Sequence, residues 1–141
     1  MTYDEKVKYL REYINNLREI DSLADRIDKL DSLKYKLGGS VIKSYSGEIK
    51  NEKQLSILGT LERMQLDLEK KLNTLHNKLF EIEQSIEMVE NETQQSILKY
   101  RYLNDFSYKQ IAIKMYYSED YIFVLHKKAI EENEFVNVNG K

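Results

Sequence analysis

The chain has 141 residues, of which 41% are hydrophobic and 33% are charged, enough for one compact domain or two small ones. It contains no cysteine, which excludes a disulfide scaffold, a zinc–thiolate site and thiol catalysis and agrees with a reducing cytoplasm. The net charge is −2, so affinity for nucleic acid requires a local basic patch. The absence of proline and the presence of only five glycines predict a nearly all-α protein.

No targeting or membrane segment is visible in the sequence. The first six residues contain no basic stretch leading into an apolar segment, and no run of about 18 uncharged apolar residues occurs anywhere. We therefore expect a cytoplasmic protein with neither a signal peptide nor a membrane-spanning helix.

The first predicted helix has one continuous apolar face. Apolar residues recur at steps of three or four, as a helix with one buried face requires. They are Val7, Leu10, Ile14, Leu17, Ile20, Leu23, Ile27, Leu30, Leu33 and Leu37. Gly38, Gly39 and Ser40 are predicted to end this helix, because paired glycines favour the left-handed turn found at helix C-termini. We interpret residues 38–50 as a connector.

The second predicted helix carries a seam that is typical of a coiled coil. Its members are Leu58, Leu61, Gln65, Leu68, Leu72, Leu75, Leu79, Ile82, Ile86 and Val89. Gln65 is the polar exception, and one polar residue in a seam commonly fixes register. The two helices are predicted to form an antiparallel hairpin or to dimerise, and we expect a homo-oligomer. The oligomerisation residues are then Leu61, Leu68, Leu72, Leu75, Leu79, Ile82 and Ile86.

Three short helices are predicted to form a separate unit at residues 91–132. Asn91 is the expected cap of the first helix, which runs to about Leu103. Ser107 and Gln110 form a capping box for the second, and Ser118 caps the third. A turn of a few residues between the last two helices is typical of a helix-turn-helix. The predicted fold is therefore all-α, with a long helical hairpin over residues 1–90 followed by this unit and a tail over residues 133–141. We expect this tail to be flexible or to add a short contact.

Packing within this unit is predicted from the helical period. Ile111, Ala112 and Met115 share a face of the second helix, and Ile122, Leu125 and Ala129 share a face of the third. Ile97, Leu98 and Leu103 of the first short helix are expected to complete this core. The alternative is a three-helix bundle that caps the hairpin and binds no ligand.

Three segments of the C-terminal third carry a resemblance to a known family. They are Ile97 to Leu103, Ser107 to Ala112, and Tyr117-Ser118 with Ile122 to Ile130, which contains His126-Lys127-Lys128-Ala129. These segments resemble the helix-turn-helix of sigma factor region four and, more closely, the phage late-gene transcriptional activators of the RinA and ArpU type. The resemblance implies an activator of a phage late or packaging operon that binds double-stranded DNA in a bacterial host. We predict that the N-terminal helices dimerise and so place two of these units on DNA upstream of a promoter, with RNA polymerase or a sigma factor as a further candidate partner.

The resemblance also implies that the helix after Ser118 reads the major groove. The residues expected to contact DNA are Tyr108, Lys109, Glu119, Asp120, Tyr121, Phe123, Val124, Lys127 and Lys128. The lysines are expected on phosphates, tyrosine hydroxyls on the backbone, and the carboxylates on cytosine amino groups. Residues 94–130 contain six basic and three acidic side chains, a net of +3, and the rest of the chain carries −5.

The alternative hypothesis is that the same helices bind a protein partner. Related recognition helices usually carry Arg, Gln or Ser where this chain has Glu119, Asp120 and Phe123, and the run Tyr121–Leu125 is apolar all round. Such a surface favours docking to RNA polymerase, a sigma factor or a repressor.

An enzyme is not predicted, and neither is a cofactor, a metal site or a small-molecule substrate. His76 has no second histidine at ligand spacing, and His126 is expected to be structural or to contact phosphate. The Gly-Gly pair also lacks the lysine of a phosphate-binding loop.

Overall fold

The computed structural model describes residues 1–43 and 52–135, and all of their regular secondary structure is helical. The helices are α1 (Tyr3–Lys43), α2 (Glu52–Glu87), α3 (Glu92–Leu98), α4 (Tyr108–Met115) and α5 (Glu119–Glu132), and a π-helical turn (Lys99–Leu103) continues α3. The predicted all-α class, a long hairpin followed by short helices, is confirmed. Within these residues, no helix has both the length and the hydropathy to cross a membrane.

The chain divides into two compact units. The hairpin unit is Glu19–His76, and the terminal unit combines Met1–Arg18 with Asn77–Lys141. This division differs from the predicted boundary at residue 90. The reason is that the first turns of α1 and the last turns of α2 share a hydrophobic core with the short helices.

In the hairpin unit, α1 and α2 of the same chain pack against each other. Leu23, Leu30 and Leu68 are buried at its centre. Ile27, Leu61, Leu72 and Leu75 pack around them. Gln65 is buried in the seam, as predicted, and donates from Nε2 to Asp31 Oδ1 at 2.6 Å. It also accepts from Lys34 Nζ at 2.7 Å. Both partners lie on α1, so this bonded glutamine favours one register of the two helices.

The prediction that Gly38-Gly39-Ser40 ends the first helix is wrong, because α1 continues to Lys43. A glycine costs a helix about 1 kcal/mol relative to alanine, but it still adopts helical backbone angles. No proline follows to block the chain. The predicted connector of residues 38–50 therefore overlaps α1, and its residues 44–50 lie outside the described part of the chain.

The terminal unit has a core built from both ends of the chain. Its buried members are Leu10, Ile82, Ile86, Val89, Leu98, Tyr102, Ala129, Ile130 and Phe135. Lys6, which is only 5% exposed, donates from Nζ to the carbonyl oxygen of Ile130 at 3.1 Å. This carbonyl lies in the last turn of α5, where helices leave acceptors unsatisfied and where a cation is favourable. The start of α1 therefore stabilises the end of α5.

For Asn133 to Phe135 the prediction of a flexible tail is wrong, and the alternative prediction of a short contact is confirmed. Asn133 donates from Nδ2 to the carbonyl oxygen of Ala129 at 2.8 Å and to Gln94 Oε1 at 2.9 Å. Phe135 is fully buried in the core of the terminal unit. Residues 136–141 lie outside the described part of the chain.

Candidate nucleic-acid interface

Helix α4 begins with the capping box that the sequence predicts. Ser107 Oγ accepts from the backbone N–H of Gln110 at 3.2 Å, and Gln110 Oε1 accepts from the backbone N–H of Ser107 at 2.8 Å. Two backbone donors that a helix start leaves unpaired are therefore satisfied within four residues. The cap fixes where α4 starts.

The turn between α4 and α5 consists of Tyr116, Tyr117 and Ser118. Tyr116 has a left-handed backbone with φ of 61°, and the N–H of Tyr117 donates to the carbonyl oxygen of Ala112 at 3.1 Å. Ser118 Oγ then accepts from the N–H of Tyr121 at 3.2 Å and caps α5. A three-residue turn between two capped helices is the arrangement of a helix-turn-helix.

A small apolar cluster holds α4 against α5. Ile97, Ile111 and Ile122 are fully buried in it, and Ala112 is 6% exposed. This confirms the predicted contact between the inner faces of α4 and α5. Leu98 and Ala129, both predicted to join this cluster, instead belong to the larger core of the terminal unit, and Leu103 packs there too. Packing in that larger core comes from α1 and α2, which carry no local signal near residue 98.

The outer face of α5 is exposed as predicted. Its exposed side chains are Glu119, Asp120, Tyr121, Phe123, Val124, Lys127 and Lys128. The two carboxylates lie in the first turn, where they favour the helix dipole, and the two lysines lie in the second half of the helix. Lys109, on α4, is also exposed. Along α5 the exposed side chains are therefore acidic, then apolar, then basic, and they are acidic again at Glu131 and Glu132 in the last turn.

Aromatic contacts order this face. Phe123, 55% exposed, meets the ring of Tyr108 edge-on, with 5.6 Å between ring centroids. Tyr121 and Tyr117 make a similar contact at 5.1 Å. Such pairs contribute about 0.5–1.5 kcal/mol beyond simple burial. These contacts therefore favour one arrangement of the exposed rings.

His126 lies beneath this face and is 2% exposed. Its Nε2 lies 2.6 Å from the hydroxyl oxygen of Tyr102, and its Nδ1 lies 3.3 Å from that of Tyr108. Burial, reinforced by the charges of Arg101 and Arg11, lowers the pKa of His126 to about 4. Burial also raises the pKa of Tyr102. The imidazole is therefore neutral near pH 7, and both of its nitrogens have hydrogen-bond partners. Of the two roles predicted for His126, a structural one and a phosphate contact, this arrangement fits the structural one.

Tyr108 has a position that the sequence did not indicate. It is half-buried, its hydroxyl faces His126, and the guanidinium of Arg101 lies 4.3 Å from its ring centre. Arg101 also donates from Nη1 to the carbonyl oxygen of Phe106 at 3.0 Å. Arg101 was absent from the predicted contact residues, because its link to Tyr108 depends on how the π-helical turn packs on α4.

The predicted oligomerisation residues are already buried within the single chain, to different degrees. Ile82 and Ile86 are fully buried in the terminal unit, and Leu68 is buried in the hairpin unit. Leu61, Leu72, Leu75 and Leu79 are half-buried. Among residues 1–43 and 52–135, no group of three or more acidic or histidine side chains is arranged to hold a metal ion.

Comparison with known proteins gives one finding. The profile of a protein family described as "Protein of unknown function (DUF1492)" matches residues 39–134. These residues include α2 and the whole of the helix-turn-helix. No curated protein and no solved structure gives a significant match.

Proposed function

We propose that this chain, which belongs to the DUF1492 family, is a DNA-binding transcriptional regulator. The proposal assigns it to the late-gene activators of phages or prophages, acting on promoter-upstream DNA in the cytoplasm of a bacterial host. The observation that carries it is the pair α4 and α5, joined by a three-residue turn, with an ordered and exposed outer face on α5. In DNA-binding proteins of this geometry the second helix enters the major groove.

Each exposed side chain then has a role that suits its chemistry. Lys127 and Lys128 contact phosphates, together with Lys109 on α4. The carboxylates of Glu119 and Asp120 accept from cytosine amino groups in the groove. The remaining contacts come from the apolar middle of the helix, where Phe123 and Val124 touch thymine methyl groups and Tyr121 helps to position the duplex.

The test is fluorescence anisotropy with duplexes from the native locus over a series of salt concentrations. We expect selective binding by the wild type and a loss of about 100-fold or more in Lys127→Glu/Lys128→Glu, with a salt slope less steep by about 2. The matched control is Lys70→Glu/Lys71→Glu, an exposed lysine pair on α2 with the same change in charge. The control should bind within a few-fold of the wild type.

Absence of selective DNA binding in this test would favour a protein partner. The observation behind this second candidate is the exposed apolar surface of α4 and its turn, where Ile113 is 68% and Tyr116 is 93% exposed. No selective DNA binding by folded protein at about 0.1 M salt rejects the first candidate. Retention of purified RNA polymerase by the wild type, but not by Ile113→Ser/Phe123→Ser, then supports the second.

The proposal includes dimerisation through the hairpin unit, because two weak DNA-binding modules gain affinity when they are linked. The seam residues of that unit already pack within the chain, so a second chain needs the apolar residues beside them. Ile57 and Met64 lie two helical turns apart at the edge of the seam, and they are 44% and 48% exposed.

Charged residues at this edge should separate the chains. We expect Ile57→Lys/Met64→Lys to sediment as a monomer and to lose DNA affinity, whereas the wild type sediments as a dimer. Leu66→Lys is the control, since Leu66 is 51% exposed but lies on a different face of α2. A wild type that is monomeric at the concentrations where it binds DNA contradicts the dimer.

A further inference from the structure

A half-open cavity of about 360 Å³ lies inside the terminal unit, and none of the described residues that line it belongs to α5. Arg11, Asn15 and Arg18 line it from α1, and Arg101, Tyr102 and Asp105 line it from the π-helical turn and the residues after it. The spacing of four, three and seven puts the three α1 residues on one helix face. The volume is at the lower end of the range for small-ligand pockets.

The charge of this cavity is strongly positive. Among the described residues that line it, three are arginines and one, Asp105, carries a carboxylate. Arg18 Nη2 lies 3.7 Å from Asp105 Oδ2, and these side chains are 72% and 62% exposed. A pair so long and so exposed contributes little and leaves most donors of Arg18 available. The cavity therefore has unneutralised hydrogen-bond donors of the kind that bind oxyanions.

Arg101 is held in place from two sides. Its guanidinium donates to the carbonyl oxygen of Phe106 at 3.0 Å and lies 4.3 Å from the ring centre of Tyr108. A guanidinium has five N–H donors, so the bond to Phe106 leaves others directed elsewhere. Because its position is fixed by these contacts, Arg101 loses little side-chain entropy when an anion binds.

The field of these arginines already acts on the neighbouring core. After burial itself, the charges of Arg101 and Arg11 are the causes that lower the pKa of His126. The same two charges oppose the rise in the pKa of Tyr102, which burial produces. Both effects have the sign expected of a local positive potential.

We propose that Arg11, Arg18 and Arg101, with Asn15, form a binding site for a phosphate group. Planar guanidinium groups bind phosphate oxygens in bidentate fashion, and the Asn15 amide adds a neutral donor. Ile14 and Tyr102 also line the cavity and give the organic part of a phosphate ester residues to pack against.

The phosphate belongs either to the duplex backbone or to a small phosphorylated compound. Contacts connect the cavity with the outer face of α5, since Arg101 lies on Tyr108 and Tyr108 touches Phe123. This continuity favours the duplex backbone as the source of the phosphate. The assignment to the duplex rests on the proposed function. The phosphate chemistry itself does not depend on it.

The test follows the arginine Nε–H signals of the full chain by NMR during titration with inorganic phosphate and with adenosine 5′-monophosphate at constant ionic strength. We expect saturable shifts for Arg101 and an affinity at least about tenfold weaker in Arg11→Gln/Arg18→Gln. Both substituted side chains are exposed, so the fold should persist. Arg26→Gln/Arg63→Gln, two exposed arginines of the hairpin unit, should bind phosphate as the wild type does.

The source of the phosphate is read from DNA binding by the same variants. A salt slope less steep by about 2 in Arg11→Gln/Arg18→Gln identifies the duplex backbone, and an unchanged slope with saturable phosphate binding identifies a free phosphorylated compound. If the wild type binds no DNA, the proposed function is wrong. The phosphate titration still shows whether the cavity binds phosphate. Absence of saturable shifts with both probes, together with an unchanged DNA slope, overturns the proposal.

Substitution of Asp105 should raise the affinity for phosphate, the opposite of the effect expected for the arginine variants. It has a left-handed backbone with φ of 57°, which asparagine tolerates well. Asp105→Asn removes the carboxylate that pairs with Arg18, so phosphate should bind about two- to fivefold more tightly. Weaker binding in this variant contradicts a site that works by positive charge.

Discussion

Replacing Phe135 with alanine is expected to lower the free energy of unfolding by about 3–5 kcal/mol, the usual cost of truncating a buried aromatic residue. Phe135 is fully buried among residues of α1, α2, α3 and α5. Its removal leaves a cavity in the middle of this core, and the surrounding helices can relax only in part. The effect should be large although the residue follows the last helix.

Urea unfolding monitored by circular dichroism measures this loss. Phe123→Ala is a matched control, because it deletes the same side chain from a site that is 55% exposed and should cost less than about 1.5 kcal/mol. If the two alanine variants have the same midpoint, Phe135 is not a core residue.

The burial of Phe135 shows what kind of information the sequence lacks. Helix caps such as Ser107 and Ser118 are local, since donor and acceptor lie within three residues, and their prediction is confirmed. The seam of α2 is also local in this sense, because its period repeats over many turns. One aromatic residue after a helix has no period and no cap, so its burial depends on residues more than a hundred positions away.

The cavity arginines were missed for the same reason. Arg11 and Arg18 are seven residues apart, which predicts a shared helix face but no partner. Arg101 reaches them only because the start of α1 packs beside the π-helical turn. The end of α1 was mispredicted for the opposite reason, since the glycine pair is a strong local signal that the helix nevertheless continues through.

The core of the terminal unit also changes the interpretation of the helix-turn-helix. The sequence indicates an independent unit over residues 91–132, whereas Leu98, Ala129 and Ile130 are covered by Leu10 and by the end of α2. Lys6 adds a hydrogen bond to the last turn of α5. Helix α5 is therefore positioned by both long helices, so we expect substitutions at the start of α1 to affect the outer face of α5 indirectly.

Acid should destabilise the terminal unit through His126. Burial first, and the charges of Arg101 and Arg11 next, lower its pKa from 6.5 to about 4 in the folded state. Above about pH 6.5 the imidazole is neutral in both states, and stability does not depend on it. Between about pH 6.5 and pH 4 the unfolded chain binds the proton and the folded chain does not, so stability falls with pH.

The expected loss is about 3 kcal/mol between pH 7 and pH 4, since each unit of pKa difference corresponds to about 1.4 kcal/mol. Urea unfolding at a series of pH values measures it. Carboxylates also titrate in this range, so the informative quantity is the difference between the wild type and His126→Gln, which is less stable at pH 7 but has a flatter profile. His76→Gln removes the exposed histidine of α2 and should keep the wild-type profile. Parallel profiles for the wild type and His126→Gln would mean that Tyr102 and Tyr108 do not hold this imidazole neutral inside the fold.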